Sequence, residues 1–162
     1  MYEEFMKIAI EEAEKAFMLD EVPVGAVIVK NGKIIAKGHN LRETLKSATA
    51  HAEIIAINEA CAKLNGWRLF GCDIYVTLEP CPMCAGALIN ARIDRIIYGA
   101  TDFKRGACGS LYNFVQDPSL NHNPEVIGGI CELECKAVLQ KFFSLKRKLV
   151  KVKKTNWQKQ IE

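Results

Sequence analysis

Between residues 3 and 19 the apolar positions Phe5, Ile8, Ala9, Ala13, Ala16 and Phe17 recur at helical spacing, with Glu4, Glu11, Glu12 and Glu14 between them. That spacing predicts an amphipathic helix. After Pro23 the chain from Val24 to Lys30 is almost wholly apolar, and Lys33 to Lys37 answers it across Asn31-Gly32. Asn-Gly between two β-rich runs is a strong hairpin signal. Residues 39–49 read as a polar loop and about 51–65 as a second helix. Cys72 to Leu78 is β-branched and aromatic, hence a strand. Pro80 suits the first position of a third helix, which would set Cys81 and Cys84 at i and i+3 in its first turn. Arg95 to Gly99 is a further strand, residues 100–121 are loop-rich, and Val126-Ile127 adds a short strand. A last helix runs from Glu132 to about Lys154 with Leu133, Val138, Leu139, Phe142 and Phe143 as its apolar residues.

The order is therefore helix, hairpin, then alternating helix and strand, with no internal repeat, low-complexity segment or linker. It calls for an α/β chain in three layers, a mixed sheet with helices on both faces, as one domain spanning 1–162. A length of 162 residues suits a single core. No segment approaches the apolar length of a membrane span, so no membrane partner is expected. The first residues, Met1-Tyr2-Glu3-Glu4-Phe5, are acidic where a secretory signal needs basic residues, which points to the cytoplasm.

Seven cysteines, an odd number without a secretory signal, argue against a disulfide framework. Of Cys61, Cys72, Cys108, Cys131 and Cys135, most read as small buried hydrophobes. Cys131 and Cys135 lie one helical turn apart and could form half of a second metal site, but no obvious pair completes it. Charge is uneven along the chain. Residues 141–162 hold eight basic side chains against Glu162 alone, a net +7, while the first 140 residues hold fourteen basic against eighteen acidic, a net −4. A basic block on a mildly acidic body suits contact with a polyanion, or a merely solvated terminal helix.

The chemistry is concentrated in Glu79-Pro80-Cys81-Pro82-Met83-Cys84, read with His51-Ala52-Glu53. Alone, Cys-x-x-Cys is a weak signal shared with thioredoxin-like redox sites, which also follow a strand and open a helix. A redox site has no use for a distant His-x-Glu. Three protein ligands, His51, Cys81 and Cys84, leave the fourth tetrahedral position of one zinc ion per chain open for water, the arrangement of a catalytic metal. Glu53 is the candidate proton carrier. No capping box accounts for it, since counting from Thr49 reaches Ala52 and counting back from Glu53 reaches Ala50. A solvated acid in the first turn of a helix is its plain alternative. His51 and Glu53 are two apart and do not face each other on a regular helix. They converge only if His51 lies at a loosely wound start or the glutamate reaches round.

The combined pattern H-x-E…P-C-x-x-C is the signature of zinc nucleobase deaminases, in which zinc-activated water attacks the ring carbon bearing the amine and the glutamate shuttles protons. Over about residues 2–150 the chain resembles, more narrowly, the bacterial tRNA-specific adenosine deaminases. Carrying the likeness are Glu21-Val-Pro-Val-Gly-Ala-Val, Thr49-Ala-His-Ala-Glu-Ile, Thr77-Leu-Glu-Pro-Cys-Pro-Met-Cys-Ala-Gly-Ala and Gly106-Ala-Cys-Gly-Ser-Leu. The resemblance implies a cytidine-deaminase-like fold with a mostly five-stranded mixed sheet, a homodimer, and deamination of adenosine to inosine at the wobble position of tRNA-Arg(ACG). The partner it implies is the anticodon stem-loop of tRNA, with no DNA expected. It further implies that Asn40 hydrogen-bonds the purine, that the Leu78 carbonyl accepts from the amine or leaving ammonia, and that Asp102 and Lys104 meet ribose and backbone. Phe142 and Phe143 would lie beside the flanking nucleotides, although adjacent residues cannot share one helix face and one of the two belongs to the core. Three rival functions remain at this level: a zinc deaminase of a free base or nucleotide of guanine or cytosine type, a non-catalytic zinc-bearing accessory subunit, and, third, a thioredoxin-like redox protein.

Overall fold

The computed structural model describes the backbone of residues 1–161 and the side chains of those residues other than Phe114 and 155–161. Of the block counted above, the Lys159 side chain and Glu162 lie outside what is described. Helix α1 (Tyr2–Met18) leads into the hairpin strands β1 (Gly25–Lys30) and β2 (Lys33–His39). Then come α2 (Arg42–Leu45), α3 (Ala52–Leu64), β3 (Cys72–Leu78), α4 (Pro82–Asn90), β4 (Arg95–Ala100), β5 (Glu125–Ile127) and α5 (Glu132–Ile161). The strands form one mixed sheet in the order β2-β1-β3-β4-β5. Strand β1 is antiparallel to β2 and β3, whereas β3, β4 and β5 run parallel. Parallel neighbours need a crossover, and α4 supplies it between β3 and β4.

Strand alternation sorts the side chains into two cores. Ala26, Ile28, Ile74, Val76 and Ile96 face α3 and α4, where they meet Ala52, Ala56, Ala60 and Leu88. Val27, Val29, Tyr75 and Ile97 face the other way, onto Phe5, Met6 and Ala9 of α1 and Cys135 and Leu139 of α5. Both faces of β1 and β3 are thus covered, which is why these strands read as continuous apolar runs. The result is the three-layer α/β/α arrangement.

Four details differ from the sequence expectation, each for a physical reason. The polar loop after the hairpin contains the single helical turn α2, held from outside: the buried Glu21 carboxylate accepts from the Thr44 amide at 2.6 Å and its hydroxyl at 2.9 Å. Pro82, not Pro80, opens α4, so Cys81 is the cap residue and not part of the first turn. Glu12, grouped by spacing with the polar face of α1, is buried, and its carboxylate receives Lys15 Nζ at 2.5 Å and His39 Nδ1 at 2.9 Å. Burial pushes the Glu12 carboxyl up, but those two partners outweigh it and hold it below its usual value. Helix α5 continues to Ile161 because no Gly or Pro interrupts it.

Close approach of α3 to the sheet positions the chemistry. Its inner face is Ala52, Ala56 and Ala60, and it sits over Gly38 of β2, where a Cβ would overlap the Ala52 carbonyl oxygen and lie 2.9 Å from the Ala56 nitrogen. A Gly38→Ala protein is expected to lose about 1–3 kcal/mol by overpacking, lowering the melting temperature by roughly 3–10 °C. Because the clash falls on the first turn of α3, metal retention should fall with it. Unchanged melting and unchanged metal content would show that α3 has no need of this glycine.

Candidate active site

Two helix starts meet above the carboxyl ends of the parallel strands β3 and β4, the usual place for a site in an open α/β sheet. His51 caps α3 with φ −79° and ψ 154°, and Cys81 caps α4 with φ −72° and ψ 171°. Both are extended, so their side chains leave the helix end instead of following its flank. For Cys81 the cause is local, since a residue before proline is driven out of the α region and Pro82 follows. For His51 the same geometry resolves the spacing problem: standing outside the helix, it need not share a face with Glu53.

His51 Nδ1 lies 3.7 Å from Cys81 Sγ and 3.5 Å from Cys84 Sγ. A tetrahedral zinc with ordinary Zn–S and Zn–N bonds requires sulfur and nitrogen to be about 3.6 Å apart. The donor set and its spacing therefore fit zinc. Among the described residues this is the one cluster of three such ligands, and Cys131 with Cys135 does not form a second. Both helix N-termini present their positive ends to the cluster, which favours thiolate. Cys81 is drawn down to about 4, first by a hydrogen bond from Cys84 and then by His51, while that same bond and burial push Cys84 well up. A dication held between the two sulfurs favours thiolate on both. The hydrogen bond with Cys81 also holds His51 above its ordinary value.

Glu53 lies beside this cluster and is 4% exposed. Its carboxyl is pushed up to about 7, chiefly by desolvation, although its own backbone amide and the charge of His51 pull the other way. Helix α3 has no side-chain cap bond for it to serve.

His51, Cys81 and Glu53 form the floor of a cavity of about 570 Å³, a size ordinary for ligand sites. Asn40, Leu78, Asp102, Lys104 and Phe143 line it together with His51, Glu53 and Cys81. The amide of Asn40 is already anchored, its Nδ2 donating to Val22 O at 3.1 Å and its Oδ1 accepting from Arg42 N at 3.3 Å. Asp102 Oδ1 accepts from the amides of Lys104 at 3.0 Å and Arg105 at 3.1 Å. Phe142 is elsewhere: it is buried edge-on against Phe17, with ring centroids 5.8 Å apart, while Phe143 is 43% exposed. Cys84 sits below the lining, fully buried. Spacing did not single out Arg42, Arg105 and Arg147, which also line the mouth. Nor did it assign a part to Glu79, although Glu79 stands at the head of the cysteine motif. Four cations at one rim, counting Lys104, come from three separate segments, of which only that of Arg147 belongs to the basic block at the C-terminus.

An open zinc-binding triad over this sheet, with a buried carboxyl at its side, defines a cytidine-deaminase-like zinc enzyme. The family model "cytidine and deoxycytidylate deaminase zinc-binding region" matches residues 1–100. The tRNA-specific adenosine deaminase of Bacillus subtilis is 51% identical over 152 residues, 94% of each chain, and that of Haemophilus influenzae is 44% identical over 94% of this chain and 88% of its own. A solved structure from work on A-to-I editing by deaminases at the wobble position of transfer RNA superposes with a TM-score of 0.81 at 48% identity. It covers 84% of this chain and 99% of its own. A guanine deaminase structure from Bacillus subtilis gives a TM-score of 0.59 at 44% identity over 61% of this chain and 64% of its own. The chain belongs to the tRNA-specific adenosine deaminase family.

Zinc analysis should return about one equivalent per chain, falling below roughly a tenth in Cys84→Ala, since losing one of three protein ligands undoes such a site. Cys135→Ala, outside the triad, should keep its zinc. Full occupancy in the Cys84 variant would rule out the triad as the metal site.

Proposed function

We propose that the protein hydrolytically deaminates adenosine to inosine at the wobble position of tRNA-Arg(ACG), working as a cytoplasmic homodimer. The observation that carries this reading is the His51–Cys81–Cys84 triangle beside a buried Glu53, at the floor of a cavity whose rim is cationic. Zinc held by His51 Nδ1, Cys81 Sγ and Cys84 Sγ would supply Lewis-acid activation of water. Glu53 is the proton carrier. Its desolvated carboxylate, with a raised affinity for a proton, takes one from the attacking water and gives it to the ring nitrogen, then takes the second from the new hydroxyl and gives it to the departing amine. Water adds, ammonia leaves and inosine remains.

The remaining residues bind and orient. Asn40, anchored by Val22 and Arg42, keeps one Nδ2 hydrogen and one Oδ1 lone pair for the purine. Leu78, at the carboxyl end of β3, offers its carbonyl to the exocyclic amine. Phe143 provides a flat surface for a base next to the extruded nucleotide, as single-stranded RNA recognition requires. Arg42, Lys104, Arg105 and Arg147 meet phosphates, and Asp102 holds the turn that carries two of them. Such a rim suits a polyanion far better than a free base.

The second reading, deamination of a free base, draws on the likeness to the guanine deaminase structure. One experiment separates the two. The zinc-loaded protein is incubated with an ACG-anticodon transcript, and in parallel with free adenosine, guanine and cytosine. Inosine at the wobble position is expected, with free-base turnover lower by orders of magnitude. Glu53→Ala should keep its zinc and lose about 10²–10⁴-fold in rate. An unchanged wobble base with zinc present would end the tRNA reading, and near-normal activity of Glu53→Ala would end the mechanism.

A further inference from the structure

Glu79 is 2% exposed and takes no part in the chemistry described above. Its carboxylate is occupied by backbone amides alone: Oε1 accepts from Cys108 N at 3.0 Å and Ser110 N at 3.1 Å, and Oε2 accepts from Asp102 N at 3.1 Å. All three donors belong to the loop after β4. Gly106 lies so close that a Cβ there would overlap Glu79 Oε2 and Ser110 Oγ. Two main-chain bonds tie the same segments, from Glu79 N to Ala100 O at 2.8 Å and from Ala107 N to Pro80 O at 2.9 Å.

We propose that Glu79 is a positioning residue, whose buried carboxylate hangs the 102–110 loop on the segment that carries Cys81 and so aims Lys104 and Arg105 at the RNA backbone. The physical chain is continuous. Glu79 fixes the Asp102 amide, and the Asp102 carboxylate then fixes the amides of Lys104 and Arg105, whose side chains line the cavity mouth. A carboxylate suits this role because it offers acceptors only, and three converging N–H groups leave no room for a donor. It places the phosphate-binding cations in register with the metal floor although neither strand nor helix connects them. This inference rests on the RNA reading given above.

The test is Glu79→Gln in the zinc-loaded protein. Whichever way the amide turns, its NH₂ faces at least one backbone N–H, so a loop bond is lost without loss of volume. Hydrogen exchange should quicken at Asp102, Cys108 and Ser110 and stay unchanged in α3 and α4, with zinc retained. Affinity for an anticodon stem-loop RNA, read by fluorescence anisotropy, should weaken about tenfold, and the slope of log Kd against log salt should shrink by roughly 1–2, the share of two cations. In a Lys104→Ala/Arg105→Ala background, adding Glu79→Gln should cost little further affinity. Gly106→Ala, which displaces the carboxylate from the other side, should give the same exchange and salt signature. Unaltered loop exchange, an unaltered salt slope, or loss of zinc with general destabilisation would each overturn the proposal, the last by making Glu79 a support of the cysteine turn instead. A wild-type protein that binds the RNA without deaminating it would overturn the functional reading, while exchange and salt slope still decide Glu79.

Discussion

His51 and Cys81 each begin a helix with an extended backbone, so that an imidazole and a thiol leave two helix ends toward one point and meet Cys84 there. Three donors within 4.8 Å of one another, beside a desolvated carboxyl, are an electrostatic problem for the fold. The hydrogen bond between the two cysteines draws Cys81 down and pushes Cys84 up, while desolvation pushes Glu53 up. A dication resolves the conflict. The surrounding architecture serves this meeting. Parallel pairing of β3 and β4 leaves room above their carboxyl ends, α4 starts from one of them, and the alanines Ala52 and Ala56 let α3 settle on Gly38.

The walls of the cavity obey a different rule. Neither the 40–47 segment nor the 101–110 segment has enough regular structure to hold its own shape, and each is organised by a buried glutamate. Glu21 receives the amide and hydroxyl of Thr44, and Glu79 receives three amides. Burying a carboxylate is costly unless its lone pairs are filled, and here the loops fill them. Acceptor and loop therefore order one another. The two glutamates flank the floor and lie apart from the metal ligands in role, giving loop-like sequence a fixed geometry.

Charge at the mouth follows from this arrangement. Arg42 stands on the first wall, Lys104 and Arg105 on the second, and Arg147 on α5, four residues beyond Phe143 and on the same helical face. Helix α5 therefore contributes an aromatic and a cation to one surface while Phe142 packs into the body against Phe17. A rim of this kind raises the local concentration of a polyanion and orients it, but does not read its sequence. In the proposed function that reading falls to the pocket around Asn40 and Leu78.

The sequence by itself determined the candidate metal site, because a His-x-Glu and a Pro-Cys-x-x-Cys carry chemistry in their spacing, and strand alternation with helical periodicity carries the layers. Strand Cys72–Leu78 and the hairpin at Asn31-Gly32 were legible for the same reason: pattern and turn chemistry are local. Only the tertiary structure decided what depends on partners distant in the chain. It set Cys81 outside the helix it starts, buried Glu12 against His39, turned Arg42–Leu45 into a helix through Glu21, and brought three arginines and a lysine to one rim. It also separated Phe142 from Phe143, which spacing could divide but not assign. Above all it gave Glu79 three amide donors more than twenty residues away. Hydrogen bonds of that reach leave no periodic trace, so a motif can announce its metal ligands while staying silent about the carboxylate beside them.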